Sequence, residues 1–359
     1  MIKTITVFGG GNIGTYFACV AAQKGYAVTV YSSKPEIFHK DLQIVNQNGE
    51  VTATGTLSDV TDDVEKAMNS DLLFVAYPSF MFSDFAEKIL PYVKNGQQIC
   101  VLPGTGGAEF SFSECIRKGA VLLGLQRVPA VARLREYGHT VCVEGKRDCL
   151  YVASIPHTYA DQFATVLADL FDMKCESLPN YLCVTMTPSN PILHTSRLYA
   201  MFSDYEPGKT YEKNPLFYGE WTDASSEMLI ACDAEHQNML KRFDKMDLSG
   251  VKSLKLHYES ETVPEMTAKL TSIQSLHNIL SPMVQTENGF VPDFSSRYFS
   301  ADFPYGLAII EAFGDLTGST IPRIRESMNW YRKASGNDFV YDLKQYGIHT
   351  MEDVYRLYR

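Results

Sequence analysis

Two groups of residues in this 359-residue chain have the types and spacing to do chemistry. The first is Gly9-Gly10-Gly11-Asn12-Ile13-Gly14, which sets its glycines as G-x-G-x-x-G. It follows a β-branched and aromatic run, Ile5-Thr6-Val7-Phe8, and opens a helical pattern, the context in which this spacing binds a dinucleotide. Gly9 permits the tight turn, Gly11 lets the backbone approach a pyrophosphate, and Gly14 lets helix and strand pack closely. The free N–H groups at Asn12 and Ile13, with the positive end of the helix dipole, would then hold the phosphates. The second group is His194 with Asn190 one turn before it, in Thr187-Pro188-Ser189-Asn190-Pro191-Ile192-Leu193-His194. An imidazole is the natural proton donor in nicotinamide reduction of C=O or C=N. It needs an acceptor on its far nitrogen, usually a carboxylate, and spacing alone nominates none. A satisfied structural histidine is the competing reading of a lone His.

The end of the second strand bears on the cofactor. An acid about 20 residues beyond the glycines would bind a ribose 2′-OH. This chain has Tyr31-Ser32-Ser33-Lys34 there, with no acid before Glu36. Two hydroxyls and a cation suit a 2′-phosphate, so NADP(H) is favoured and NAD(H) stays open. Pro78, closing the third apolar run, and Gly104, in Pro103-Gly104-Thr105-Gly106-Gly107, complete the expected cofactor-binding set.

The elements that must carry these residues alternate in the first half. Apolar runs at 5–8, 27–31, 72–76, 98–102 and 121–125 are separated by helical patterns or turn residues. That alternation predicts an α/β unit, a Rossmann-type doubly wound parallel sheet, over residues 1–184. From Pro188 onward helical periods dominate, and a mainly α-helical domain is expected over 185–359. Asn190-Pro191 reads as an N-cap and first helical position, Gly318 as a helix stop, and Pro322 as another helix start.

Composition narrows the class. Apolar residues are 45% and charged residues 21%, the mix of an ordinary globular chain. A net charge of −10 argues against nucleic acid as the main partner. No apolar run is long enough for a membrane span, and no cleavable signal pattern opens the chain. Eight cysteines occur without a Cys-x-x-Cys pair, and eight histidines without a His-x-x-x-His pair. A reduced, cytoplasmic protein without a metal site is the expectation.

The glycine motif, Asn190-x-x-x-His194 and Arg297-Tyr298-Phe299-Ser300-Ala301-Asp302-Phe303-Pro304-Tyr305-Gly306-Leu307 together resemble the octopine/nopaline (opine) dehydrogenase family. The resemblance covers nearly the whole chain. It implies reductive condensation of an amino acid with a 2-oxo acid such as pyruvate to an N-(carboxyalkyl) amino acid. It also implies a catalytic dyad of His194, as acid/base, and Asp302, as its orienting carboxylate. By the same resemblance Arg297 lies near that site, binding a substrate carboxylate or holding Asp302. Arg133, beside Arg127 and Arg135 around Pro129, matches a site-lining arginine. Octopine-type members generally carry an acid where this chain has Ser32, so cofactor preference is not carried over. Glu220-Trp221 and the Tyr205–Tyr218 stretch read as packing more readily than as a substrate pocket. The expected partners are small molecules, and a homodimer is compatible with the reading. Two alternatives stand beside it: a 2-oxo acid reductase resembling ketopantoate reductase, and a nonenzymatic NADP-sensing protein.

Overall fold

The computed structural model describes residues 2 to 358, and the chain divides into two compact units. One runs as far as Thr185 and takes in Tyr358; the other is Met186–Leu357. The first unit holds β1 (Thr4–Phe8), β2 (Ala27–Tyr31), β3 (Asp41–Val45), β4 (Val51–Thr56), β5 (Asp59–Thr61) and β6 (Leu72–Val75). It continues with β7 (Gln98–Val101), β8 (Val121–Leu125), β9 (Val131–Glu136), β10 (Thr140–Glu144), β11 (Cys149–Ile155) and β12 (Lys174–Ser177).

Eight strands form one sheet in the order β12-β11-β8-β7-β6-β1-β2-β5. β1 sits between β2 and β6, both parallel to it, with Val7 in register with Val30 and Phe74. Every residue of β6 and β8 is buried, as in a sheet covered on both faces. The glycine motif follows β1, and its helix α1 (Asn12–Gln23) packs on β1 and β2.

Two features differ from an all-parallel sheet. β11 runs antiparallel to β8. The chain between them folds into the β9–β10 hairpin, so it returns by a local reversal rather than a crossover helix. The second feature is a separate four-stranded sheet, β4-β3-β10-β9. Its strands place polar residues such as Arg133 and Arg135 outward, which leaves only short apolar signals in the sequence. α1 also packs on this sheet and is therefore buried nearly all round, including Tyr16, Phe17, Ala18 and Cys19. Gly55 on β4 permits the approach, since a Cβ there would lie 2.3 Å from the carbonyl oxygen of Cys19.

The second unit is mainly helical, with a hairpin of β13 (Met283–Thr286) and β14 (Gly289–Pro292) that the helical periods do not announce. Helices Ser189–Phe202 and Asp223–Leu240 pack together. Helix Ala308–Thr317 stops at Gly318 in the left-handed region, and Pro322 opens helix Pro322–Ser335, both as the sequence predicts. The helix carrying His194 starts two residues earlier than expected. Pro188 is its N-cap and Asn190 lies inside the first turn, without a side-chain cap. Pro191 is accommodated there because a first-turn residue needs no N–H partner.

Candidate active site

The glycine turn is built as its spacing requires. Gly9 has φ +105, a conformation that favours glycine. A Cβ on Gly14 would lie 1.7 Å from the carbonyl oxygen of Gly9, so any larger residue would push the helix off the turn. Around Gly11, by contrast, the space for a Cβ is open. The N-terminus of α1 has no side-chain cap and no acid in its first turn. Its leading N–H groups therefore lack intrahelical partners in a site that favours an anion. This cradle fits the pyrophosphate of a dinucleotide.

The other residues expected at the cofactor fall in different places. The side chain of Asn12 ties α1 to the second sheet, its Oδ1 accepting from the Leu134 N–H at 2.8 Å. Its backbone N–H and side-chain Nδ2 remain to face a phosphate. Ser32 is buried, its Oγ accepting from the Lys34 N–H at 3.1 Å and lying 3.4 Å from the Tyr137 hydroxyl. Ser33 and Lys34 are exposed beside it. Pro78 caps a short 3-10 turn after β6. Gly104 is interior: a Cβ there would lie 2.6 Å from Gly124 Cα, and its carbonyl accepts from Tyr181 at 3.1 Å. Close packing accounts for that glycine without a ligand. Arg133 is exposed on β9 and donates to the neighbouring Ala132 carbonyl.

In the second unit, His194 and Asp302 meet across 108 residues of sequence. Nδ1 of His194 lies 2.7 Å from Oδ2 of Asp302, and both side chains are largely buried, 10% and 16% exposed. The local fold explains the meeting. Asp302 begins a π-helical turn, Phe303–Leu307, in which the Leu307 N–H donates to the Asp302 carbonyl at 2.8 Å. π turns are frequent at functional sites because the wider turn re-aims side chains. Gly306 lets this turn approach the His194 helix: a Cβ there would lie 3.0 Å from Pro191.

Nε2 of His194 lies 2.9 Å from the hydroxyl of Tyr218, a contact the sequence reading missed. Phe217 and Tyr298 complete an aromatic surround, the Tyr298 ring 4.7 Å from the imidazole. Burial, with neighbouring Tyr298 and Asp302, pushes the Tyr218 hydroxyl well above its ordinary pKa, so it stays a neutral phenol. Its loop is held by Arg197, three residues beyond His194 and also missed. The buried guanidinium donates to the carbonyls of Phe217 at 3.1 Å and Glu220 at 2.7 Å, and to the Ser225 hydroxyl at 3.1 Å. Burial lowers its pKa to about 10, which leaves it charged at neutral pH. No sequence spacing links Tyr218 or Arg197 to His194 as a site; both signals are tertiary.

Arg297 is exposed, with its guanidinium 5.9 Å from the Tyr298 ring centre. Among the described residues it makes no ion pair, so it does not hold Asp302. Asn190 is exposed in the first turn of the His194 helix. No helix among the described residues is long and apolar enough to cross a membrane.

A dinucleotide cradle on a Rossmann-type sheet, followed by a helical unit, defines a nicotinamide-dependent oxidoreductase. Residues 177–335 match the family described as "NAD/NADP octopine/nopaline dehydrogenase, alpha-helical domain", and residues 5–147 match "Ketopantoate reductase PanE/ApbA". The chain is 26% identical to the opine dehydrogenase of Haliotis discus hannai, covering 98% of each protein. It is 24% identical to the tauropine dehydrogenase of Arabella iricolor, covering 98% of this chain and 99% of that protein. An octopine dehydrogenase structure with NADH and L-arginine superposes at a TM-score of 0.84, at 22% identity over 98% of this chain and 97% of that one. An NADP+-bound yersinopine dehydrogenase superposes at 0.65, at 12% identity over 99% of each chain. Residues 177–335 thus carry the alpha-helical domain of the octopine/nopaline dehydrogenase family, and the chain is an NAD(P)-dependent oxidoreductase of the opine dehydrogenase type.

Proposed function

We propose that the protein condenses the amine of an amino acid with a 2-oxo acid such as pyruvate and reduces the product to an N-(carboxyalkyl) amino acid. The observation that carries this reading is the buried 2.7 Å contact between His194 and Asp302. It supplies a proton-handling imidazole of fixed orientation, which condensation needs and mere dinucleotide binding does not.

The roles follow from the chemistry. The glycine turn and the N-terminus of α1 hold the pyrophosphate, and Ser33 and Lys34 are placed for a 2′-phosphate, which favours NADP(H). When bound, the reduced nicotinamide supplies the hydride. Arg297, exposed and without an ion pair among the described residues, binds a substrate carboxylate through its planar fork. His194 takes a proton from the attacking ammonium group and returns one to the departing hydroxyl, so water leaves as the C=N bond forms. Asp302 stabilises the imidazolium between those steps. Tyr218 and the ring of Tyr298 exclude bulk water from the imidazole.

The test is absorbance of the reduced nicotinamide with NADPH and pyruvate, with and without a mixed amino-acid pool, and the same with NADH. Oxidation that requires both substrates supports the proposal. Oxidation with pyruvate alone moves the function to a 2-oxo acid reductase, the reading favoured by the ketopantoate reductase match over residues 5–147. Binding of cofactor without turnover in any mixture leaves the sensing alternative.

A further inference from the structure

A second cluster of ligand-type side chains lies in the first unit, away from the dyad residues in sequence. Glu136 and His139 flank the tight turn of the β9–β10 hairpin, and His39 lies in the segment that leads into β3. The turn presses on that segment. Gly138 has φ +74, and a Cβ there would lie 2.9 Å from the Ile37 carbonyl oxygen. The His39 N–H donates to the Gly138 carbonyl at 3.0 Å. The two imidazoles consequently stack, 4.3 Å apart and 22° from parallel. Oε2 of Glu136 is 2.8 Å from Nδ1 of His139, and its Oε1 is 3.9 Å from Nε2 of His39. One ligand atom from each residue lies within 4.8 Å of the others.

We propose that His39, Glu136 and His139 bind a borderline divalent transition-metal ion such as Zn2+, and that the ion clamps Phe38 and Tyr137 over the dinucleotide loop. Two neutral imidazoles and a carboxylate are the donor set of such ions, and the carboxylate offsets part of the charge. Zinc coordination draws ligand atoms to about 3.4 Å from one another, from bonds of about 2.0–2.1 Å. His39 and Glu136 are more than half exposed at 55% and 57%, so their side chains are free to close that gap, with water in the remaining position.

The connection to the loop is covalent. Phe38 directly precedes His39, and Tyr137 sits between Glu136 and His139. Their rings meet edge-on at 5.4 Å. A Cβ on Gly10 would lie 2.2 Å from Phe38 and 3.2 Å from the Tyr137 hydroxyl, which also faces Ser32. Fixing the three ligands therefore fixes the two rings that cover the loop. The clamp rests on the dinucleotide reading of that loop; the metal site does not.

The test uses the full chain, stripped with a chelator and dialysed. Calorimetry with Zn2+ should show one equivalent bound, and Co2+ should give d–d absorption that Zn2+ abolishes. His139→Ala and Glu136→Gln should each weaken Zn2+ by more than about 10-fold while leaving the thermal midpoint unchanged. NADPH titration by fluorescence should show a Kd several-fold lower with Zn2+ in the parent and unmoved in His139→Ala. No stoichiometric binding, equal binding by both variants, or a thiolate-to-cobalt charge-transfer band from the cysteines would overturn the site. Zinc binding with an unchanged NADPH Kd would overturn the clamp. Zinc binding without any NADPH binding would instead defeat the dinucleotide reading.

Discussion

The hydroxyl of Tyr218 stands 2.9 Å from Nε2 of His194, on the ring nitrogen opposite the one that Asp302 holds. A carboxylate accepts only, so Nδ1 carries the proton and Nε2 accepts from the phenol. The arrangement fixes the tautomer from both sides. Tyr218→Phe removes the donor while keeping the ring that packs beside Trp221. Turnover should then fall while the cofactor Kd and the thermal midpoint hold. An unchanged turnover number would reduce Tyr218 to packing.

Asp302→Asn tests the other nitrogen. An amide can present its N–H to Nδ1, which favours the opposite tautomer and removes the charge that stabilises the imidazolium. Turnover should fall with little change in cofactor affinity. His194→Ala should reduce turnover by roughly 10²–10⁴-fold, the usual worth of a positioned acid/base. Single-turnover kinetics of NADPH oxidation separates these losses from product release. A rate unaffected by His194→Ala would remove the dyad from the mechanism.

The reach of sequence reasoning follows contact order. The turn at Gly9–Gly14 was legible because its steric demand is local: Gly14 faces Gly9, five residues away. Helix stops such as Gly318 are local for the same reason. The pairing of His194 with Asp302 spans 108 residues, and it came only through a family resemblance. Tyr218 and Arg197 carried no such signal, because a buried guanidinium satisfied by backbone carbonyls leaves no partner residue in the sequence. From the sequence Asn190 reads as the helix cap, because the proline after it suits a first helical position. The chain instead begins the helix from Pro188, whose φ of −80° is already helical. The second sheet was missed because β9 alternates outward charges with short apolar positions.

The proposed preference for NADP(H) rests on Ser32, Ser33 and Lys34. Ser32→Asp would place a carboxylate beside the exposed Ser33 and Lys34, where it repels a 2′-phosphate and can accept from a ribose 2′-OH. NADPH should weaken by about 10-fold or more relative to NADH, equivalent to about 1.4 kcal/mol of selectivity. Lys34→Ala should weaken NADPH selectively as well. Direct titration of both cofactors measures this, and equal losses for the two would count against phosphate recognition at this corner.

Glu109 predicts a pH dependence of stability that is independent of catalysis. Its carboxyl is fully buried, one oxygen accepting from Thr185 and from the Tyr358 hydroxyl at 2.6 Å, the other without a hydrogen-bond partner. Burial raises its pKa from the ordinary 4.5 to about 7, against the two hydrogen bonds that favour the charge. The folded protein therefore holds a proton that the unfolded chain releases between those values. In that window stability should fall as pH rises, by up to about 1.4 kcal/mol per pH unit, and flatten above it. Glu109→Gln stays neutral and removes this component. The difference in unfolding free energy between parent and variant, followed by urea denaturation across the window, isolates Glu109 from other buried acids such as Asp233. The variant should gain on the parent as pH rises toward neutrality. Parallel curves for the two proteins would show that Glu109 is ionised in the fold throughout, with its uncovered oxygen reached by water.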